Sequence, residues 1–445
     1  MRLPHPLTLL VGCTIIAAAL THVLPAGKFD RRDDPATGRK VAVAGSYHRV
    51  EQHPVTPFET IVAIPDGIID AASVIAFVFL VGGAFGVVDK TGALRDGIDS
   101  LVRQLGDSGI VAVPIVCLAF AAGGAFENMQ EEIIAMVPAL LLLSQRLGFD
   151  ALTVAEMSVG SAAIGSAFSP INPFQVLIGQ KVAGIPQFSG ATFRTIFLAL
   201  ALLLWIAGTM RHARRVRLSA VRVAPSGEAR PFGARGKAVL AVVLLTFAIF
   251  VWGVAKLHWD FDQEAALFFL MGIIVGIVGG LGVTGTAEAF VEGFQSMAYA
   301  ALLIGFARSI SAVMEQGLII DTVVNSLASA LSGLPTAVAA LGMMGAHAAI
   351  HVPVPSVSGQ AVLTLPVFAP VADLLHLSRQ IAVLAYQYGA GMCELMTPTN
   401  GALMAVLAAA GVRYDAWIRG AGVMLALVTA LGAAAVVLAV AVGVT

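Results

Sequence analysis

Two short stretches of the chain place a hydroxyl, a proline and an amide at the same spacing: Ser169-Pro170-Ile171-Asn172 and Thr397-Pro398-Thr399-Asn400. Each lies inside a long apolar run. Proline removes a helix hydrogen bond and pushes the residue before it out of the helical region. Backbone groups released in this way survive in lipid only where protein or water surrounds them. The result is two half-helices whose ends meet near the bilayer midplane. Carbonyls at the end of a first half-helix, with the side-chain oxygens of Ser169, Asn172, Thr397 and Asn400, suit a hard cation such as Na⁺. The N–H groups and positive dipole end of a second half-helix suit a carboxylate. From Gly401 to Gly411 the later second half spans roughly 16 Å, about half of a ~30 Å hydrocarbon core.

Ionisable residues in apolar surroundings are the second source of chemistry: Glu127, Glu131, Glu132, Glu156, Arg308 and Glu394. A charge at the bilayer centre costs at least ~2.5–3.5 kcal/mol on insertion scales, so such residues face a cavity or a partner. Glu394 stands three residues before Thr397, one turn away on the same face. It is a candidate proton carrier, or else a structural partner of Arg308 or another donor. Glu127, Glu131 and Glu132 either draw a cation (a coupling ion or a substrate ammonium) or stay solvated. Enzyme signatures are absent from the same regions. His347 and His351 are four apart but lack the acid of a zinc-protease motif, since Ala348 follows His347. Pro355-Ser-Val-Ser-Gly359 lacks the first glycine of a nucleophile elbow. Both are expected to line a hairpin tip. No catalytic residue and no cofactor is expected.

The elements that must position these residues are membrane helices. The chain is 58% hydrophobic and 12% charged, against about 45–50% and roughly 25% for soluble domains. Its mean hydropathy is +0.89. A net charge of −1 gives no sign of nucleic-acid binding, and Cys13, Cys117 and Cys393 form neither a disulfide framework nor a metal-binding spacing. Runs long enough to span are 7–23, 68–88, 195–210, 238–256, 264–283, 295–313 and 415–441. The first is read as a transmembrane helix, because no small-x-small cleavage site follows it. Stretches 151–183 and 380–411 are apolar but interrupted. Stretches 109–145 and 335–374 each hold two apolar arms around a polar tip.

If the last two are re-entrant hairpins, nine crossings remain and the hairpins enter from opposite faces, as an inverted repeat requires. The basic segment 211–237, with Arg211, Arg214, Arg215, Arg217, Arg222, Arg230, Arg235 and Lys237 against Glu228, is then cytoplasmic. So is the N-terminus, and the C-terminus is periplasmic. Lys90, Arg95, Arg103, Arg413 and Arg419 fall on the cytoplasmic side too. The segment divides the chain into repeats 1–210 and 238–445. Laid over each other, they match Asn172 with Asn400, Pro138 with Pro366, Asn128 with Ser356 and Gln130 with Ser358. The expected fold is an all-α polytopic membrane protein of about nine transmembrane helices and two hairpins, built as inverted repeats.

The stretches PAGKFDRR, GGAFGVVDKTGAL, GSAFSPINPFQVLIGQKVAG, PSVSGQAVLTLPVFAPVADLL and YQYGAGMCELMTPTNGALMAVLAAAGV resemble the anaerobic C4-dicarboxylate carrier family. Within the wider ion-transporter superfamily they are most similar to its basic-amino-acid antiporter-like branch. The resemblance runs from about residue 7 to 441. It implies an elevator-type transporter, often a homodimer, whose hairpin tips and helix breaks hold the coupling ion and the substrate carboxylate. Those positions here are Glu127, Asn128, Ser169, Asn172, Ser356, Ser358, Thr397 and Asn400. The tips, Glu127-Asn128-Met129 and Ser356-Val357-Ser358, depart from the Ser-Asn-Thr tips of sodium-coupled dicarboxylate relatives. The acidic tip favours a substrate with an ammonium group.

Residues and resemblance together predict a secondary active transporter in the bacterial cytoplasmic (inner) membrane. Its substrate is a small carboxylate-bearing metabolite, either a C4-dicarboxylate or an amino acid. Transport is coupled to Na⁺ or H⁺ by symport, or proceeds by exchange. The substrate and ion site comprises Glu127, Asn128, Ser169, Pro170, Asn172, Ser356, Ser358, Glu394, Thr397, Pro398, Thr399 and Asn400. The alternative is a channel or passive uniporter for organic anions.

Overall fold

Apolar segments that cannot bond to water must close their own backbone hydrogen bonds, and in this chain they do so as helices. The computed structural model describes residues 5–34, 39–94, 96–97, 100, 106–219, 233–257, 259–331 and 333–444. In order, the helices are α1 (Pro6–Val23), α2 (Pro57–Asp70), α3 (Ala72–Lys90), α4 (Ala112–Glu127), α5 (Glu131–Leu147), α6 (151–167), α7 (173–183), α8 (Ala191–Ser219), α9 (Ala234–Leu257), α10 (Phe261–Gly279), α11 (Gly282–Gln316), α12 (Ile320–Leu331), α13 (Thr336–His351), α14 (Val357–Leu374), α15 (Arg379–Cys393), α16 (Gly401–Ala409) and α17 (Tyr414–Val442). Eight helical segments among the described residues are long and apolar enough to cross a membrane, so the chain is a multi-pass membrane protein. Large apolar side chains on their outer faces, such as Ile16, Leu203, Leu244, Ile277 and Val423, are exposed. Lipid is the environment that such a surface fits.

Four departures from the sequence expectation have local causes. The chain is not purely helical: Gly27–Lys28 (β1) pairs with His48–Arg49 (β4), and Arg31–Asp34 (β2) with Arg39–Ala42 (β3), as two short antiparallel ribbons. Asp321 anchors them, accepting from Phe29 N at 2.9 Å and bridging Arg31 at 2.9 Å. The expected span 68–88 is two helices, α2 and α3. Thr56 and Glu59 form a capping box that starts α2 at residue 57. Helix α11 has 35 residues, roughly 52 Å at 1.5 Å per residue, and only its later part reads as apolar in the sequence. Finally, α8 runs through Arg211, Arg214, Arg215 and Arg217, and α9 takes in Arg235 and Lys237, so the basic segment is helical at both ends. Arg222, Glu228 and Arg230 lie outside the described residues, as do Arg95 and Arg103.

Helix α11 is the axis of one group, packing on α1, α2 and α3, with α10 and α9 beyond α3. The other group holds two helical hairpins, α4–α5 and α13–α14, and two interrupted helices, α6–α7 and α15–α16, flanked by α8 and α17. In the first hairpin Asn128 takes a left-handed conformation (φ 58°), which asparagine tolerates better than most residues. Its N–H closes on Gly124 O at 3.0 Å. In the second, the Ser356 side chain caps α14 by accepting from Gly359 N.

Each hairpin leans on an interrupted helix through glycine. A Cβ on Gly124 would strike the Ala162 carbonyl, and one on Gly165 the Ala121 carbonyl, so α4 and α6 touch backbone to backbone. In the second hairpin Gly389 of α15 meets the Met344 carbonyl of α13 in the same way. Gly165→Ala should therefore force the two backbones apart, at a cost of about 1–3 kcal/mol, read as a lower midpoint of thermal unfolding in detergent. Gly345→Ala, where nothing lies within 4 Å of the added carbon, should leave the midpoint unchanged.

Candidate functional site

The later break, residues 394–400 between α15 and α16, sets the site. Proline at 398 and the preceding turn leave carbonyls that the helix cannot satisfy. Neighbouring side chains take them up: Trp417 Nε1 donates to Leu395 O at 2.9 Å, and Tyr414 OH to Met396 O at 2.5 Å. Thr397 and Thr399 share a hydroxyl contact of 2.8 Å. The Asn400 side chain caps α16 by accepting from Leu403 N at 3.0 Å. Glu394, Thr397, Thr399 and Asn400 are all buried.

Beside this break lies a cavity of about 1030 Å³ between the two helix groups. Among the helix beginnings that open onto it are α5 at Glu131, α14 at Ser356-Val357-Ser358, and α16 at Asn400-Gly401. Each presents the positive end of a helix dipole. Six acids line the cavity (Asp70, Glu131, Glu132, Asp260, Glu264 and Glu394), and Arg308 of α11 is the one cation among the described lining residues. Arg308 is exposed on the wall, close to where Gly401 packs on Ile304 and Ala307. Aromatic rings, among them Phe120, Phe174, Phe250 and Phe268, make up much of the remaining wall. A cavity of this size with apolar walls and a few convergent polar groups has the form of a small-molecule site.

The first hairpin's tip reaches the second break through Gln130, which is 3% exposed. Its Nε2 donates to Glu394 Oε2 at 2.6 Å, and its Oε1 accepts from Asn400 Nδ2 at 3.4 Å. Glu394 is thus held by Gln130 and not by Arg308, which resolves the choice of partner left open by the sequence. At the same tip Gln130 N donates to Glu132 Oε2 at 3.0 Å, so Glu132 is engaged with backbone as well as facing the cavity.

The earlier break is built differently. Ser169 and Asn172 are fully buried and do not line the cavity. Ser169 Oγ donates to Ala125 O at 2.8 Å and accepts from the Ile171 and Asn172 N–H groups. Asn172 Nδ2 donates to Gly124 O at 2.8 Å, while Oδ1 accepts from Phe174 N and Gln175 N, both at 2.9 Å. Their side-chain oxygens are spent on backbone N–H groups, and they fasten the break to hairpin α4–α5. Asn128 joins this network, accepting from Ser166 Oγ and from Gln175 Nε2 at 3.2 Å. Behind it, Gln387 Nε2 donates to the Ser169 carbonyl at 2.7 Å and its Oε1 accepts from the buried Arg194 at 2.7 Å.

The predicted site residues therefore divide. Asn128, Ser356, Ser358, Glu394, Thr399 and Asn400 line the cavity, and Thr397 stands just behind it. Ser169 and Asn172 belong to the buried network, and the half-buried Pro170 stands between them at the break without a hydrogen bond in it. Glu127 ends α4, but its side chain lies outside the described residues. His347 and His351, expected at the hairpin tip, are buried between α13 and α14, where His351 Nδ1 and Gln360 Oε1 lie 2.9 Å apart. The sequence places Gln130 at the first tip without giving it a partner, and Gln175 and Gln387 were missed as participants. A glutamine inside an apolar run is itself a signal, since its amide needs a partner there.

A family model described as DcuC, C4-dicarboxylate anaerobic carrier, matches residues 3–441. A protein of Escherichia coli (strain K12) named "Putative basic amino acid antiporter YfcC" is 32% identical, over 98% of this chain and 96% of its own length. An uncharacterized protein of Haemophilus influenzae is 29% identical, over 94% and 92%. Among solved structures, the Alcanivorax borkumensis YdaH transporter shares 18% identity, with 99% of each chain covered and a TM-score of 0.45. The Neisseria gonorrhoeae antimetabolite efflux pump MtrF shares 16%, with 99% and 96% covered and a TM-score of 0.42.

The Gln130 bridge can be measured. A double-mutant cycle of Gln130→Ala with Glu394→Ala, read by unfolding in detergent, should give a coupling energy of about 1–3 kcal/mol. A coupling indistinguishable from zero would mean that tip and break do not act together.

Proposed function

This chain belongs to the C4-dicarboxylate anaerobic carrier family, a family of membrane transporters, and from that premise we propose that it is a secondary active transporter of a small carboxylate-bearing metabolite that also carries positive charge, a basic amino acid. Transport is coupled to Na⁺ or H⁺, by symport or exchange, across the cytoplasmic membrane of a bacterium. The observation that carries this reading is the cavity's charge pattern: one arginine and the starts of α14 and α16 against six acids.

A substrate carboxylate fits between Ser356, Ser358, Thr399 and Asn400, where two helix dipoles and Arg308 favour negative charge. The cationic end fits toward Glu131, Glu132 and Glu394. Pro398 and Thr397 open the break that exposes these groups. Asn128, Ser169, Pro170 and Asn172 hold the first hairpin in register with it, and Glu127 belongs to that tip. A C4-dicarboxylate, the substrate in the family's name, would bring a second negative group against the acids. The relative named as a basic amino acid antiporter fits the pattern better.

The recurrence of hairpin, interrupted helix and long helix, α4–α8 and again α13–α17, supports two inverted repeats, 1–210 and 238–445, joined by the segment 211–237. Movement of the hairpin group against the α11 group, as an elevator within a homodimer, is part of the same proposal and is what the family resemblance implies. The positive-inside rule, applied to the basic residues, supports an N-terminus in the cytoplasm and a C-terminus in the periplasm.

In proteoliposomes the protein should accumulate radiolabelled arginine or lysine against a gradient and lose the accumulation to a proton or sodium ionophore. Arg308→Ala should lower uptake about ten- to hundredfold, the loss of one charge-assisted contact, with unchanged yield of monodisperse protein. Uptake that only equilibrates would indicate a channel or uniporter, and an Arg308→Ala protein with normal uptake would remove the site assignment.

A further inference from the structure

Glu156 stands apart from the cavity. It is fully buried, and neither of its carboxylate oxygens has a hydrogen-bond partner. It begins a π-helical turn, Glu156–Gly160, in the first half of the earlier interrupted helix. Such turns insert a residue into a helix at a cost and recur at functional sites. This one is held in place: the Glu156 carbonyl accepts from Trp205 Nε1 at 2.9 Å and from Ser161 Oγ at 3.1 Å. The main chain is satisfied while the acid is left bare.

An ionised carboxylate without a donor or counter-ion is not sustained in such a place. The groups that face Glu156 narrow what could neutralise it. From α4 comes the Cys117 thiol; the side chain of Glu127, on the same helix, lies outside the described residues. From α8 comes His212, with Arg215 beside it; Arg194, on the same helix, is committed to Gln387, Gln380 and Ser189. From the N-cap of α6 comes Asp150. Around them Val113, Cys117, Met157 and Ala213 form an apolar cluster. A metal cation needs several ligands around it, and no group of three or more His, Cys, Asp or Glu among the described residues is placed to hold one. A proton needs one oxygen.

Asp150 and His212 make the link to water. They lie 3.2 Å apart, with side chains 39% and 26% exposed. Burial alone would raise the Asp150 carboxyl, but hydrogen bonds from His212 and Thr153 hold it at about 2, so it remains an anion throughout the working range of pH. It therefore fixes the imidazole without titrating itself. Glu156 follows six residues later on the same helix, roughly 9 Å along the axis.

We propose that Glu156 is a proton-binding site of the transport cycle, separate from the substrate cavity and loaded through the Asp150–His212 pair. The step is an addition: a proton from water bonds to one carboxylate oxygen of Glu156, cancels its charge, and leaves by the same bond when the site meets the other aqueous face. The neutral form lets the hairpin group move; the charged form does not cross. This inference rests on the transport reading above, because it assigns the coupling ion to a second place on the same moving group.

The test uses the full-length protein in two ways. In proteoliposomes Glu156→Gln, which mimics the protonated acid, should keep arginine counterflow at the wild-type rate. It should lose accumulation driven by a pH gradient: a gradient of about one unit supports about tenfold accumulation with one proton, and the variant should fall to the equilibrium level. Its uptake should also become independent of pH. Separately, wild-type protein in membranes is treated at neutral pH with dicyclohexylcarbodiimide, an apolar reagent that modifies protonated carboxyls, and the adduct is located by peptide mass spectrometry. Label on Glu156 that disappears in the Gln variant supports the site, and this arm stands even if arginine is not the substrate or the variant fails to fold. Full pH-driven accumulation in Glu156→Gln overturns the proposal. So does wild-type protein that carries carbodiimide on other carboxyls and none on Glu156.

Discussion

Inside a bilayer no carbonyl or N–H can be left without a partner, and this chain interrupts two helices there. Everything near the cavity follows from how the released groups are satisfied. At the later break Trp417 and Tyr414 reach in from α17 to hold the carbonyls of Leu395 and Met396. At the earlier break Gln387 holds the carbonyl of Ser169. The donors come from outside the breaks, so the released carbonyls are satisfied without continuing the helix. The side chains of the breaks themselves are then free to differ.

They do differ. Ser169 and Asn172 turn inward and spend their oxygens on backbone, tying α6 and α7 to the first hairpin. Thr399 and Asn400 turn toward the cavity. Gln130 spans the two halves, bonding Glu394 and Asn400 from the tip of the first hairpin. The earlier break thus acts as a brace and the later one faces the cavity, although their sequence motifs are nearly the same. In the proposed function substrate charge is read between them, with Arg308 supplied from the opposite helix group.

Much of this was legible in the sequence because proline, polar tips and apolar runs act locally. The breaks at Pro170 and Pro398, and the hairpin turns at Asn128 and Ser356, needed only backbone sterics and hydropathy. The division of labour between Ser169-Pro-Ile-Asn172 and Thr397-Pro-Thr-Asn400 was not legible, because it depends on which neighbours come within 3 Å. The same holds for Glu394, whose partner Gln130 lies 264 residues away. Helix α11 was read short because its first turns, through Glu288 and Glu292, are polar on one side. The ribbons at 27–49 were missed because two- and four-residue strands leave almost no periodic signal.

In the proposed function the cavity between the hairpin tips, the second break and Arg308 binds a molecule with both a carboxylate and a cationic group. Ligand-dependent thermal stability of the purified protein tests this most directly, because a ligand of the native state stabilises it by mass action. Basic amino acids should raise the unfolding midpoint in a concentration-dependent way, and aliphatic amines and C4-dicarboxylates of similar size should not. Stabilisation by dicarboxylates alone, or by amines lacking a carboxylate as strongly as by arginine, would contradict it.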